Sequence, residues 1–341
     1  MNILIFGCGL FGFGLVNHFS KKFELNDSVK IYAYDINKTI VDSLKTNNEH
    51  PYHFKGRKIS HNVEFINEYI DVLKQIDLLV LAIPSQTIRE TVKTFHNLKL
   101  NTIIVNTAKS LEIGTNMRLS EVIQNEMSKL GKPITVATFS GGTIASEFIE
   151  EAPLGADIAC SNYIICKSLQ KIFSSNQLRI YGNTDQIGVE YAGAFKNAIA
   201  ILAGIISGLN FPFGSVTHLI SRAADEVSKM AIMLGASEHT FSFKTQCWGN
   251  DLWMSCLGNT RNRYFGSLIG QGIPVDKALE QMKQSHKIVE GYHTIKVIYD
   301  LGKELELNNI ILNQLYDIIY NGKNPKSAIE TIMSTIHEEI I

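Results

Sequence analysis

Several features that would place a protein outside the cytoplasm, in a membrane or on nucleic acid are missing from this chain. Its five cysteines (Cys8, Cys160, Cys166, Cys247, Cys256) are scattered, odd in number and never spaced as CxxC. That argues against a disulfide framework and against structural zinc, and it fits a reducing cytoplasm. The ten histidines form no ligand pattern; His50 and His53 flank Pro51 in a loop-like stretch, so no metal is expected. Neither charge sign is in excess. A net charge of -1 gives no global attraction to nucleic acid or to anionic membrane, so any anion site must be local. The apolar N-terminus lacks a basic region and is broken by four glycines from Gly7 to Gly14, unlike a signal peptide. There is no internal repeat, no low-complexity tract and no long charged tail. Residues 192–211 are apolar enough to suggest a membrane span, but Lys196, Asn197 and three glycines inside the stretch favour a buried core helix.

What is present reads as two domains in 341 residues. Short apolar runs at 2–6, 29–34, 77–83, 102–106 and 134–138 alternate with helical patterns such as 87–95 and 116–130. The run Asp77-Leu-Leu-Val-Leu-Ala-Ile83 suits a strand buried on both faces of a parallel sheet. Further strands are expected near 156–160 and 178–181. From about residue 186 helical stretches dominate: 186–209, 215–234, 275–284, 291–305, 310–320 and 327–336. The expected fold is α/β, with a doubly wound domain over 1–185 followed by a mainly α-helical domain over 186–341.

The first strand runs into Gly7-Cys-Gly9-Leu-Phe-Gly12 and then a helix. The first glycine permits a tight turn, the second lets backbone approach a pyrophosphate, and the third allows close helix–strand packing. The helix N-terminus would offer N–H groups to the phosphates. This context makes the N-terminal domain a Rossmann-type dinucleotide-binding domain. Asp35 ends the next strand. A carboxylate there accepts from the ribose hydroxyls of NAD and repels the extra phosphate of NADP, so NAD is expected, with NADP possible. The other reading of Asp35 is a cap for the following helix.

In the second half, 192–208 is an apolar helix whose only charged residue is Lys196. Residues four apart share a face, so Ala192, Lys196, Ala200, Gly204 and Gly208 form one stripe. Burial disfavours a charged lysine and suits it to exchange protons near neutral pH. The small residues beside it would let cofactor and substrate approach the helix closely. Three polar islands accompany it. Thr107-Ala-Lys109-Ser110 and Ser140-Gly-Gly-Thr143 each follow an expected strand, where ligands of open sheets bind. Trp248-Gly-Asn-Asp251 and Thr260-Arg-Asn-Arg263 supply a carboxylate and a set of phosphate donors.

Taken together, these motifs resemble bacterial-type NAD(P)-dependent glycerol-3-phosphate dehydrogenase. The segments carrying the resemblance are Ile187-Gly-Val-Glu-Tyr-Ala-Gly-Ala-Phe-Lys-Asn197, Thr260-Arg-Asn-Arg-Tyr-Phe-Gly266, Gly270-Gln-Gly272, Val289-Glu-Gly291, Pro84-Ser-Gln86 and the Lys109 stretch. The resemblance implies reversible hydride transfer between NAD(P)H and dihydroxyacetone phosphate or sn-glycerol 3-phosphate, with Lys196 as general acid and base. It implies Lys109, Gly141, Thr143, Asp251, Thr260, Arg261 and Asn262 around the small phosphorylated substrate. To Gly7, Gly9, Gly12 and Asp35 of the glycine turn and second strand it adds Leu10, Phe11, Lys109, Ala145, Arg261 and Glu290 on the dinucleotide, with no metal required. A cytoplasmic homodimer is expected, without nucleic-acid or membrane partners. The chain departs from the family pattern at Ser140-Gly-Gly-Thr143, where Ser-Gly-Pro-Ser is usual. It departs again at Leu10, Phe11, Ser110, Asn250 and Thr260. Those departures keep open the same chemistry on another phosphorylated ketose or polyol; a non-catalytic dinucleotide sensor is a second alternative, and the joint retention of Lys196, Lys109, Asp251 and Arg261 argues against it.

Overall fold

The computed structural model describes residues 1–285 and 287–335. Ile336, the expected end of the last helix, lies outside the described residues. The chain divides into two compact units, Met1–Glu190 and Tyr191–Ile341.

The first unit carries strands β1 (Asn2–Phe6), β2 (Lys30–Tyr34), β3 (Val63–Ile66), β4 (Leu78–Leu81), β5 (Ile103–Asn106), β6 (Thr135–Ser140), β7 (Leu154–Ala159) and β8 (Leu178–Asn183). Between them lie helices α1 (Leu10–Lys22), α2 (Lys38–Asn47), α3 (Ile88–Lys93), α4 (Leu119–Lys129), α5 (Ala145–Ile149) and α6 (Tyr163–Phe173). The eight strands form one sheet in the order β3-β2-β1-β4-β5-β6-β7-β8. All neighbours pair in parallel except β6 and β7. Strand side chains alternate between faces. Ile3, Ile5 and Val80 therefore pack with Phe13 and Phe19 of α1, while Leu4, Leu79 and Leu81 pack with Ile88 of α3 and Val122 and Ile123 of α4. Both faces are buried, which is why β4 reads as an unbroken apolar run.

From β1 the sheet grows one way through β2 and β3 and the other way through β4, β5 and β6. The strand order thus reverses between β1 and β4, and ligands of such sheets bind beyond the carboxyl ends at that switch. The loops after β1, β5 and β6 carry the glycine turn, Lys109 and Gly141 respectively.

Helix α7 (Gln186–Gly208) begins at the end of the first unit and continues into the second. The second unit adds α8 (Phe213–Met233), α9 (Asp251–Leu257), α10 (Arg261–Gly270), α11 (Val275–Gln284), α12 (Glu290–Glu304), α13 (Ile310–Tyr320) and α14 (Pro325–Ser334). Helix α8 buries Val216, Leu219, Ile220, Ala223, Val227 and Met230, the three-and-four spacing of one apolar face. Among the described residues α7 is the one helix long and apolar enough to cross a membrane, and 94% of that stretch is buried.

The small-residue stripe of α7 serves a purpose other than the expected one. A Cβ on Gly204 would collide with the backbone of Arg263, and one on Gly208 with that of Ser267. On the facing helix, a Cβ on Gly266 or Gly270 would strike the carbonyls of Ile201 or Ile205. The glycines of α7 and α10 therefore seat two backbones against each other. They bring α10 to α7 instead of opening α7 to a ligand. Gly204→Ala sets about 1 kcal/mol of helix propensity against an overpacking cost of about 1–3 kcal/mol. Because the obstruction is backbone, which cannot swing aside, we expect net destabilisation, measurable as a lower urea midpoint.

Candidate active site

The glycine turn after β1 has the geometry a dinucleotide needs. Gly7 sits at φ +105°, and a Cβ there would lie 2.5 Å from the Ala82 carbonyl oxygen. A side chain on Gly12 would run into the Gly7 carbonyl. Gly9, by contrast, has nothing within 4 Å of its missing Cβ, so open space lies against the backbone there. Gly9 is the N-cap of α1, whose first turn carries no capping side chain and no acidic residue. Its N–H groups and dipole end are thus available to an anion. Leu10 is half exposed, while Phe11 packs on Phe139 and Phe148 at ring-centroid distances of 5.8 and 5.9 Å. These residues fit a dinucleotide pyrophosphate.

Asp35 accepts from the Cys8 N–H at 2.7 Å through one oxygen and from the Asn37 N–H at 2.8 Å through the other. The cap of α2 is Asn37, whose side chain accepts from the Thr39 N–H, so the capping alternative for Asp35 does not hold. Along the sheet edge, the Lys109 ammonium donates to the Gly141 carbonyl oxygen, which also accepts from the Thr143 N–H at 2.8 Å. Lys109, Gly141 and Thr143 therefore form one cluster. Gly141 has to be glycine because a Cβ would lie 2.6 Å from Cα of Ala156. Ala145 opens α5 just beyond. Ser140 ends β6 with its hydroxyl buried and unpartnered among the described residues.

In the helical unit Lys196 is 4% exposed and Asp251 is fully buried. The ammonium pairs with Oδ1 of Asp251 and donates to Oγ of Ser255 at 2.9 Å. Ser255 donates in turn to the same aspartate oxygen at 3.4 Å. Asp251 and Ser255 are four residues apart on α9 and so share the face turned to α7. A π-helical turn, Gln246–Asn250, leads into α9 and sets that face. Burial disfavours an isolated charge, and the Asp251 carboxylate and Ser255 hydroxyl give the Lys196 side chain its polar partners.

A second chain of contacts runs alongside. Asn262 donates to Oδ1 of Asn197 at 2.9 Å and accepts from the Gly291 N–H at 3.1 Å. Gly291 follows Glu290 at the start of α12, and Asn197 follows Lys196, so Asn262 ties three helices together. Thr260 donates to the Ser255 carbonyl at 2.7 Å and is the N-cap residue of α10 without a capping side-chain bond. Arg261, the first residue of α10, is exposed and makes no hydrogen bond or ion pair among the described residues. Arg263 turns away, reaching Ser207 at 3.5 Å. The start of α10 therefore presents an uncapped helix N-terminus beside one arginine, donors of the kind that suit an anion.

Sequence reasoning did not single out Ser255 or Glu190. The i, i+4 spacing from Asp251 was the available signal for Ser255. Glu190 is buried and accepts from the Ser120 N–H and the Arg118 guanidinium, both at 2.9 Å, so it holds the start of α4. Burial pushes its carboxyl above the usual carboxylate range, against those donors.

Two family models cover this chain almost end to end. The model of the NAD-dependent glycerol-3-phosphate dehydrogenase N-terminus matches residues 2–166, and that of the C-terminus matches residues 185–330. The chain belongs to the NAD-dependent glycerol-3-phosphate dehydrogenase family. A glycerol-3-phosphate dehydrogenase [NAD(P)+] of Clostridium botulinum (strain Alaska E43 / Type E3) is 34% identical over 329 residues, 96% of this chain and 95% of its own length. Two solved structures share the fold. Glycerol-3-phosphate dehydrogenase from Coxiella burnetii has a TM-score of 0.84 at 23% identity, covering 98% of this chain and 99% of its own. The Plasmodium falciparum glycerol-3-phosphate dehydrogenase has a TM-score of 0.88 at 20% identity, covering 99% and 96%. As a member of the glycerol-3-phosphate dehydrogenase family, the chain is an NAD-dependent oxidoreductase acting on a small phosphorylated substrate.

Proposed function

We propose that this enzyme reduces dihydroxyacetone phosphate and, in reverse, oxidises sn-glycerol 3-phosphate, with Lys196 as the general acid and base. The buried Lys196–Asp251–Ser255 group carries the proposal: among the described residues of the helical unit it joins an ammonium, a carboxylate and a hydroxyl in one hydrogen-bonded set. When bound, the dinucleotide would supply the hydride in the reducing direction and accept it in the other. All remaining work falls to side chains. Lys196 donates its proton to the carbonyl oxygen in the reducing direction and takes the hydroxyl proton in the other. Its positive charge also stabilises the negative charge that develops on that oxygen, which is the electrophilic assistance the reaction needs. Asp251 acts through Lys196, orienting the ammonium, and Ser255 completes the set.

Arg261, Asn262 and Thr260, at the start of α10, are assigned to the phosphate. Fixing that end of a three-carbon substrate fixes the reacting carbon. Lys109, Gly141 and Thr143 are assigned to the substrate from the sheet edge by their match to the family pattern. Gly7, Gly9, Leu10, Phe11 and Gly12 would hold the pyrophosphate half of the dinucleotide, and Asp35 the ribose. Ala145, Glu290, Lys109 and Arg261 are further dinucleotide contacts carried over from the family. Residues 1–185 would serve as the dinucleotide domain and 186–341 as the substrate domain. Balanced charge and cysteines outside any disulfide support a cytoplasmic enzyme without membrane or nucleic-acid partners, and the apolar second domain supports assembly as a homodimer.

Steady-state kinetics with dihydroxyacetone phosphate and with longer ketose phosphates test the substrate. The proposal requires the three-carbon compound to have the highest kcat/KM, and a clear preference for a longer one overturns it. On the cofactor, we expect NADH to be preferred over NADPH because Asp35 repels a 2′-phosphate. Asp35→Asn keeps an acceptor for the Cys8 N–H and removes the charge. The ratio of kcat/KM for NADPH to that for NADH should rise about tenfold, the size of one charged hydrogen bond.

A further inference from the structure

The glycine turn is held by a residue that the sequence motif does not include. Gly7 and Gly9 leave the two peptide groups that flank Cys8 with little conformational restraint of their own. Its position is imposed from outside. The Gly7 N–H donates to the Tyr34 carbonyl at 2.8 Å, and the Cys8 N–H donates to Asp35 at 2.7 Å. The remaining polar group, the Cys8 carbonyl, lies 3.0 Å from Nε2 of His50. His50 is 3% exposed and arrives from the segment after α2, 42 residues along the chain.

The ring's own bonds fix which nitrogen carries the hydrogen. Nδ1 accepts from the Tyr52 and His53 N–H groups, each at 3.2 Å, so it is unprotonated. Nε2 then bears the hydrogen and donates to Cys8. The ring also lies edge-on to Phe13 of α1, with centroids 5.4 Å apart. Burial and the adjacent His53 ring hold His50 below its ordinary pKa range, in keeping with a neutral donor.

We propose that His50 is a positioning residue for the dinucleotide. Asp35 holds the Gly7–Cys8 peptide through its N–H and His50 holds the Cys8–Gly9 peptide through its carbonyl, so together they fix the turn on both sides of Cys8 and with it the start of α1 for the ligand. The inference rests on the dinucleotide-binding reading of the glycine turn. Without the His50 donor, the Cys8–Gly9 peptide is free to tilt, and Asp35 and the first N–H groups of α1 lose their common geometry.

Two variants separate this role from simple support of the 50–54 segment. His50→Asn can keep an acceptor near Nδ1 for Tyr52 and His53 but cannot reach Cys8. His50→Gln places an amide donor near Nε2. NADH binding to the wild type and both variants is measured by calorimetry, with melting temperatures recorded alongside. His50→Asn should weaken NADH binding about tenfold, the loss of one hydrogen bond at a buried carbonyl, and His50→Gln should stay within about threefold of wild type. Unaltered NADH affinity in His50→Asn, or His50→Gln binding no better than His50→Asn, overturns the inference. A wild-type protein that binds no NADH overturns the dinucleotide reading itself, and the inference with it.

Discussion

Replacing Lys196 with alanine lowers kcat for dihydroxyacetone phosphate reduction by about 10²–10⁴-fold, the usual range for a general acid–base group. Affinity for NADH should stay near the wild-type value, because Lys196 is assigned to the reacting oxygen and not to the pyrophosphate. The loss falls on kcat and kcat/KM together, since the proton and the charge are needed chiefly in the transition state. Alanine also leaves Asp251, which is fully buried, without its counter-ion. Lys196→Met fills more of the vacated space and serves as the better-folded companion. Near-normal turnover in either variant would remove Lys196 from the mechanism.

The second large effect is on stability. Asp251→Ala should lower the unfolding free energy by about 3–5 kcal/mol, because it strands an ammonium at a buried position without its counter-ion. Lys196 can partly escape this cost by giving up its proton, which would remove the acid that carbonyl reduction requires. Activity should therefore fall alongside stability. Asp251→Asn keeps the shape and an acceptor oxygen, so its stability cost is the smaller of the two. The double replacement Lys196→Met with Asp251→Leu should recover much of the stability lost in either single variant, since a buried pair exchanged for apolar groups is often neutral. It should recover no turnover. Urea unfolding of the wild type, Lys196→Met, Asp251→Leu and the double variant gives the coupling between the two side chains directly. Additive losses would mean that the pair is not the unit described here.

The fold was legible wherever one physical demand dominated a stretch of sequence. Strand β4 must be apolar on both faces, and α7 must be apolar all round, so both stand out. The long helices of the second unit reveal themselves through three-and-four spacing. The elements that went unread answer to weaker or conflicting demands. Strand β3 has four residues at the sheet edge with Glu64 facing solvent, too short a pattern to register. Helix α10 was hidden by Gly266 and Gly270, which read as breakers but are required by the backbone of α7. Helix α6 was not singled out either, although Asn162 caps it through two backbone N–H groups.

The site follows the same division. Lys196 was visible because a charge in an apolar helix is costly unless it is partnered, and so it asks for an explanation. Its partners were less visible. Asp251 lay in a polar island that could have been a surface loop, and Ser255 was one hydroxyl among many. Their meaning depends on α9 turning one face to α7, which no local pattern specifies. Likewise, His50 stands 15 residues beyond Asp35 in a stretch with no regular period, and only the fold brings its ring to Cys8.

The central claim is that Lys196 provides the proton as a three-carbon ketone phosphate is reduced. Rapid mixing of the protein–NADH complex with dihydroxyacetone phosphate, wild type beside Lys196→Met, tests it most directly. We expect stoichiometric loss of NADH absorbance in the wild type, with glycerol 3-phosphate as product, and a single-turnover rate at least about 100-fold slower in the variant. Equal rates in the two proteins would contradict the claim.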